Sequence, residues 1–164
     1  MAYFVTGATG FIGRFLVANL VKRGKPVYAL VRKGSQKKLD ALRRSLGATE
    51  KQLVAVQGDL AEKNLGVAAA EIKALKGKIE HFFHLAAIYD LNASADEQKS
   101  VNVGGTRHAV ALAEAIQAGC FHHVSSIAAA GLYEGVFRED MFEEAEELDH
   151  PYFSTKHESE KVVR

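Results

Sequence analysis

The turn Gly7-Ala8-Thr9-Gly10-Phe11-Ile12-Gly13 follows the apolar run Ala2-Tyr3-Phe4-Val5 and opens a segment of helical periodicity. Three glycines between a strand and a helix leave the chain few folds to choose from. Gly7 permits a tight turn, Gly10 lets the backbone approach a bound group, and Gly13 allows a helix to pack hard against the strand. Such a turn belongs to the first βα unit of a doubly wound parallel sheet. There the helix N-terminus offers N–H groups and a partial positive charge to the pyrophosphate of a dinucleotide. The spacing is G-x-x-G-x-x-G rather than the commoner G-x-G-x-x-G. A glycine-rich turn with no ligand is the plainer alternative.

The remainder alternates short β-branched or aromatic runs with longer helical periods, which reads as α/β with a parallel sheet. Strands are expected at residues 3–6, 27–31, 53–57, 81–85 and 121–125. Helices are expected from Phe11 to a stop at Gly24 and Pro26, at 36–46 before Gly47, at 68–75 before Gly77, and at 101–118 before Gly119. In the fourth, Val101, Ala109, Leu112 and Ile116 should face the sheet. A fifth starts near Tyr152 and is still helical in pattern at Arg164. Right-handed crossovers give the strand order 3-2-1-4-5, with a ligand crevice at the carboxyl ends of strands 1 and 4. Residues 139–149 carry seven carboxylates (Glu139, Asp140, Glu143, Glu144, Glu146, Glu147, Asp149) and read as a solvated loop or short helix. A sheet halted after strand 5 leaves that strand as an edge, which proteins usually cover or pair. The expectation is that residues 1–164 are the N-terminal part of a longer protein, without its substrate-binding region.

A net charge of +1 gives no reason to expect a nucleic-acid partner. No apolar run approaches the roughly 18 residues that span a bilayer, and no leader precedes the first strand, so a cytoplasmic protein is expected. The one cysteine, Cys120, reads as a small core thiol. His81 and His84 are three apart on a strand and face opposite ways, as do the adjacent His122 and His123. No metal site is expected.

The chemistry lies in Tyr152 and Lys156, one helical turn apart and so on one helix face. A free phenol titrates near ~10, and bringing it to about 7 takes roughly 4 kcal/mol of differential stabilisation. A neighbouring ammonium and the positive nicotinamide of an oxidised cofactor can supply that. Ser126 closes the fifth strand, where its hydroxyl can donate to a carbonyl oxygen. Ser125 is the competitor on the opposite face, and Ser126 is preferred. Together these residues describe hydride transfer to or from a carbonyl carbon. No acid stands between Gly24 and Asp40 to hold a ribose diol, whereas Arg32 can fork onto a 2′-phosphate with Lys33 adding charge. NADPH is therefore favoured over NADH. Thr9, Phe11 and Ile12 belong to the same phosphate turn. Asp59, beside Leu60, can accept the adenine amino group, and Leu85-Ala86-Ala87 ends strand 4 with side chains small enough for close cofactor approach; a turn aspartate and a pair of core alanines are the plainer alternatives. Asn102 is expected to hold the fourth helix open around a water near Lys156, with a surface cap as the alternative.

These residues resemble the extended short-chain dehydrogenase/reductase superfamily, whose fold is the Rossmann sheet, along the whole chain. Residues 3–17, 122–131, 137–145, 148–152 and 155–161 are similar to bacterial fatty acyl-CoA reductases. The run Ser125-Ser126-Ile127-Ala128-Ala129-Ala130-Gly131 and the acidic loop before Tyr152 are the more specific signals. The resemblance implies NADPH-dependent reduction of an acyl thioester to aldehyde or alcohol, with Ser126, Tyr152 and Lys156 as a catalytic triad. It also implies a possible homodimer through the helices at 101–118 and 152–164. The rivals are another extended reductase or epimerase, acting on a nucleotide sugar or small ketone, and a non-catalytic module that senses NADP.

Overall fold

The computed structural model describes residues 1–88 and 94–164. Five parallel strands, β1 (Ala2–Thr6), β2 (Val27–Val31), β3 (Leu53–Gln57), β4 (Ile79–His84) and β5 (Cys120–His123), lie in the order β3-β2-β1-β4-β5. The expected α/β doubly wound sheet and its strand order are both present. β1 is central and buried at every residue. That fits its uninterrupted apolar run, since a strand covered on both faces has no polar side to show. Tyr3 and Val5 look one way, and Ala2 and Phe4 the other.

Each face carries its own apolar core. Against Tyr3, Val5, Val27 and Ala29 pack α1 (Phe11–Lys22), through Val17 and Leu20, and α2 (Gln36–Leu46), through Leu39. Against Phe4, Val56 and Phe82 pack α3 (Ala69–Leu75), through Leu75, and α5 (Gly105–Ala115), through Ala109 and Leu112. The buried Arg43 of α2 donates from Nε to the Leu53 carbonyl at 2.8 Å and pairs with Asp40 at 2.8 Å, tying α2 to the start of β3. No helix among the described residues is long and apolar enough to cross a membrane.

The helix expected at 101–118 differs from what is observed. It begins earlier, as α4 (Ala95–Gln98), passes through a π-helical turn (Lys99–Gly104) and continues as α5. The wider π turn shifts the side-chain phase. Val103 is therefore buried, while Val101 turns to an open cleft beside the sheet instead of to the sheet itself. Cys120 departs from expectation too: it is exposed, at the start of the outermost strand, and not in the core. The acidic stretch 139–149 is a loop with all seven carboxylate residues exposed. It is anchored by buried Met141 and by Phe142, whose ring stacks on His157 at 4.2 Å.

Candidate functional site

A cleft of about 630 Å³ opens at the carboxyl ends of β1 and β4, within the usual size of small-molecule sites. One wall is the glycine turn. Gly7 has φ +71°, and a Cβ there would come within 2.8 Å of the Ala86 nitrogen. A Cβ on Gly13 would run into the Gly7 carbonyl. Gly10 precedes α1 without a side-chain cap, and no acid stands in the first turn. Gly10, Phe11, Ile12 and Gly13 thus line the cleft with unscreened helix N-terminus. This cradle suits a pyrophosphate, and side chains at Gly7 or Gly13 would force its backbone apart.

Thr6, fully buried at the end of β1, braces the turn beneath the cleft. Its Oγ1 accepts from the N–H groups of Leu85 and Ala86, each at 3.2 Å. With that oxygen accepting twice, its proton goes to His84 Nδ1 at 2.8 Å. Assigned from this network, His84 carries its proton on Nε2, which donates to Thr106 Oγ1 at 3.1 Å. Thr106 in turn donates to the Asn102 carbonyl at 2.6 Å. The chain of bonds joins the β4 exit to the π turn through one neutral imidazole.

Burial, with His123 and Lys156 nearby, pushes the His84 pKa down to about 3. His123, half-buried, falls to about 4 through desolvation and the Lys156 charge. Both folded values lie below the unfolded one, so the unfolded chain binds more protons on acidification. Stability is therefore full above pH 6.5 and falls as pH drops from 6.5 towards 3. Between pH 6.5 and 4 His84 alone should cost about 3 kcal/mol, with His123 adding in the same direction. Urea midpoints measured across that range check this. A flat profile would mean that His84 is not held neutral.

The other wall is α6 (Pro151–Val163). Pro151 occupies its first turn, and His150 Nδ1 accepts the Tyr152 N–H at 3.1 Å, fixing where the helix starts. Tyr152 and Lys156 both line the cleft. Lys156 is 3% exposed, and its Nζ donates to the Val124 carbonyl at 3.0 Å, just past the end of β5. Burial lowers its pKa, with Glu160 partly opposing.

Of the residues singled out from sequence, Gly7, Thr9, Gly10, Phe11, Ile12, Gly13, Arg32, Asp59, Leu60, Leu85, Ala86, Ala87, Tyr152 and Lys156 line this one cleft. Asp59 also accepts the Ala61 N–H at 2.9 Å. Three stand elsewhere. Lys33 is outside the lining, and Lys38, one turn into α2, is there in its place. Strand 5 presents Ser125 to the cleft rather than Ser126. Ser125 donates to Glu160 at 2.7 Å, whereas Ser126 caps the short 3-10 turn Ile127–Ala130 by accepting the Ala128 N–H at 3.2 Å. Asn102 is buried in the π turn, not a surface cap. Its side chain accepts the Ile88 N–H at 2.8 Å and donates to Thr155 Oγ1 at 3.3 Å, beside Lys156 in sequence.

Sequence reasoning also missed Ser35, Glu97 and Val101 on the rim. Only Ser35 had a signal, the turn at the end of β2.

The family described as male sterility protein, an NAD-binding family, matches residues 5–164. A linear gramicidin synthase of Brevibacillus parabrevis is 32% identical over 99% of the chain. Fatty acyl-CoA reductase 1 of Xenopus laevis is 30% identical over 74% of it. Among solved structures, the terminal R domain from the myxalamid PKS-NRPS biosynthetic pathway superposes over 99% of the chain with a TM-score of 0.82 and 28% identity. The chain spans 4% of the gramicidin synthase, 27% of the Xenopus reductase and 44% of the R domain.

Proposed function

Because the chain belongs to the NAD-binding family described as male sterility protein, within the extended short-chain dehydrogenase/reductase superfamily, we propose that it is the NADP-binding part of a reductase acting on a fatty acyl thioester. The observation that carries this reading is that Tyr152 and Lys156 line the same cleft as the Gly7–Gly13 turn. A dinucleotide-sensing module needs the turn alone. We further read residues 1–164 as one domain of a longer, cytoplasmic enzyme.

Bound in this cleft, NADPH supplies a hydride to a carbonyl carbon. The glycine turn and the N-terminus of α1 would hold its phosphates, Asp59 would accept from an adenine amino group, and Leu85–Ala87 would leave room along β4. Tyr152 gives its proton to the carbonyl oxygen, and the Lys156 charge favours the phenolate left behind. Ser126, next to the cleft-lining Ser125, is the serine proposed to orient the carbonyl, because the bond it accepts from Ala128 leaves its hydroxyl proton to donate. Loss of the thiol from the reduced carbon then gives the aldehyde, and a second round gives the alcohol.

Arg32, just past β2, and Lys38, in α2, both line the cleft and support NADPH over NADH: two cations with no acid between Gly24 and Asp40 suit a 2′-phosphate. Arg32→Ser is expected to weaken NADPH binding by about tenfold or more while leaving NADH binding nearly unchanged. Fluorescence titration with each cofactor checks this, and equal losses for both would remove the argument.

A second reading is favoured by two of the matches that run along 99% of the chain, the gramicidin synthase and the R domain. On it, the thioester is the product of a peptide- or polyketide-synthesising assembly. Product analysis separates the readings. NADPH-dependent formation of fatty aldehyde or alcohol from free long-chain acyl-CoA supports the first. Reduction of carrier-bound acyl groups alone supports the second. Turnover of nucleotide sugars instead would overturn both.

A further inference from the structure

Away from the cleft, parallel pairing of β4 with β5 sets His81 directly beside Cys120, and His122 beside Phe83. Cys120 and His122 are two apart on β5 and so share a face, the one His81 also occupies. One ligand atom from each of the three lies within 4.8 Å of the others. We propose that His81, Cys120 and His122 form a binding site for a late first-row divalent metal, zinc foremost, that clips β5 to β4.

The donor set decides the metal class. Two imidazoles and a thiol suit zinc and its neighbours, and they do not suit magnesium or calcium, which take oxygen ligands. The spacing suits it as well. His81 Nδ1 and His122 Nε2 face each other at 3.0 Å and share one hydrogen bond. Tetrahedral zinc, with Zn–N near 2.0–2.1 Å, holds two nitrogens about 3.4 Å apart, so the rings need part only slightly. The donating ring moves its N–H to its other nitrogen, the thiol releases its proton to solvent, and both imidazoles remain neutral.

With Nδ1 on the metal, His81 Nε2 turns towards Glu80, whose Oε1 is 4.0 Å away. A carboxylate behind a ligating histidine is the usual way such a ring is oriented. Three protein ligands leave a fourth position for water. Cys120 is exposed and both histidines are half-buried, so an ion can enter. Among the described residues β5 is an outer strand held by β4 alone. It leads into Val124 and Ser125 on the cleft wall, so a clip here steadies that wall without touching the chemistry.

The test is titration of the chain with Zn²⁺ alone under reducing conditions, then with Co²⁺ as a coloured substitute. The expected result is one ion per chain and a thiolate-to-cobalt charge-transfer band. The thermal midpoint should rise by about 5–10 °C at a hundredfold excess of zinc over Kd. Cys120→Ser should abolish the charge-transfer band, and both it and His122→Gln should weaken zinc binding at least about tenfold. The absence of saturable binding would overturn the proposal, as would binding that Cys120→Ser leaves unchanged. Because Cys120 is exposed, that variant folds and decides the matter even if His122→Gln does not fold.

Discussion

In the full-length enzyme, Tyr152→Phe is expected to lower kcat for thioester reduction by about a thousandfold, with NADPH affinity within about twofold of the wild type. The substitution removes one oxygen and almost no volume. The backbone bond from Tyr152 N–H to His150, which starts α6, needs no phenol and should survive. Lys156 stays where it is, since burial and the Val124 carbonyl hold its Nζ. What disappears is the group that gives a proton to the carbonyl oxygen. Steady-state kinetics with acyl-CoA, run beside a cofactor titration, separates the two effects. Ser126→Ala should lose activity alongside it, whereas Ser125→Ala, which releases Glu160, should not. The reverse order would pass the role to the serine that lines the cleft. Wild-type turnover in Tyr152→Phe would remove the phenol from the reaction altogether.

Gly13→Ala should damage both the fold and cofactor binding. The added Cβ would stand 2.9 Å from the Gly7 carbonyl carbon and 3.0 Å from that of Ala8, with the Gly7 oxygen closer still. None of these atoms is the flexible end of a side chain, so α1 must move away from β1. A loss of about 1–3 kcal/mol is expected from the overpacking. NADPH affinity should fall at least tenfold, because the displaced N-terminus of α1 no longer points at the phosphates. Gly104→Ala is the control. It sits in the π turn with αR backbone angles, and its nearest neighbour for a new Cβ is the Lys99 carbonyl at 4.0 Å. Urea denaturation of both variants should show a clear loss for Gly13→Ala and little change or a small gain for Gly104→Ala.

The sheet was legible because its cues are local. β1, β2 and β3 are short apolar runs punctuated by Gly24 with Pro26 and by Gly47, and their order follows from crossover handedness. The glycine turn and the Tyr152–Lys156 pair were legible for a similar reason, since the spacing within one turn or one helix already implies a shared face. What stayed hidden depends on phase or on neighbours distant in sequence. The π turn at Lys99–Gly104 has no periodic signature, and it moved Val101 from the sheet to the cleft. Lys38 reaches the cleft only because α2 packs beside β2, which made adjacent Lys33 look the better partner for Arg32. Ser125 and Ser126 differ by one residue where β5 ends, and strand ends are set by pairing that a single segment does not reveal. The cluster of His81, Cys120 and His122 was invisible while each strand was read alone. Once β4 and β5 are paired in register, period-two alternation brings all three to one face. The buried His84 likewise owes its hydrogen bonds to Thr6 and Thr106, far from it in sequence.

The account rests on a nicotinamide dinucleotide with a 2′-phosphate lying against Gly7–Gly13, within reach of Tyr152 and Lys156. Calorimetric titration of the chain with NADPH and with NADH tests this most directly. One NADPH per chain, bound at least about tenfold more tightly than NADH, is the predicted result. Equal affinity for the two, or no saturable binding of either, would contradict it.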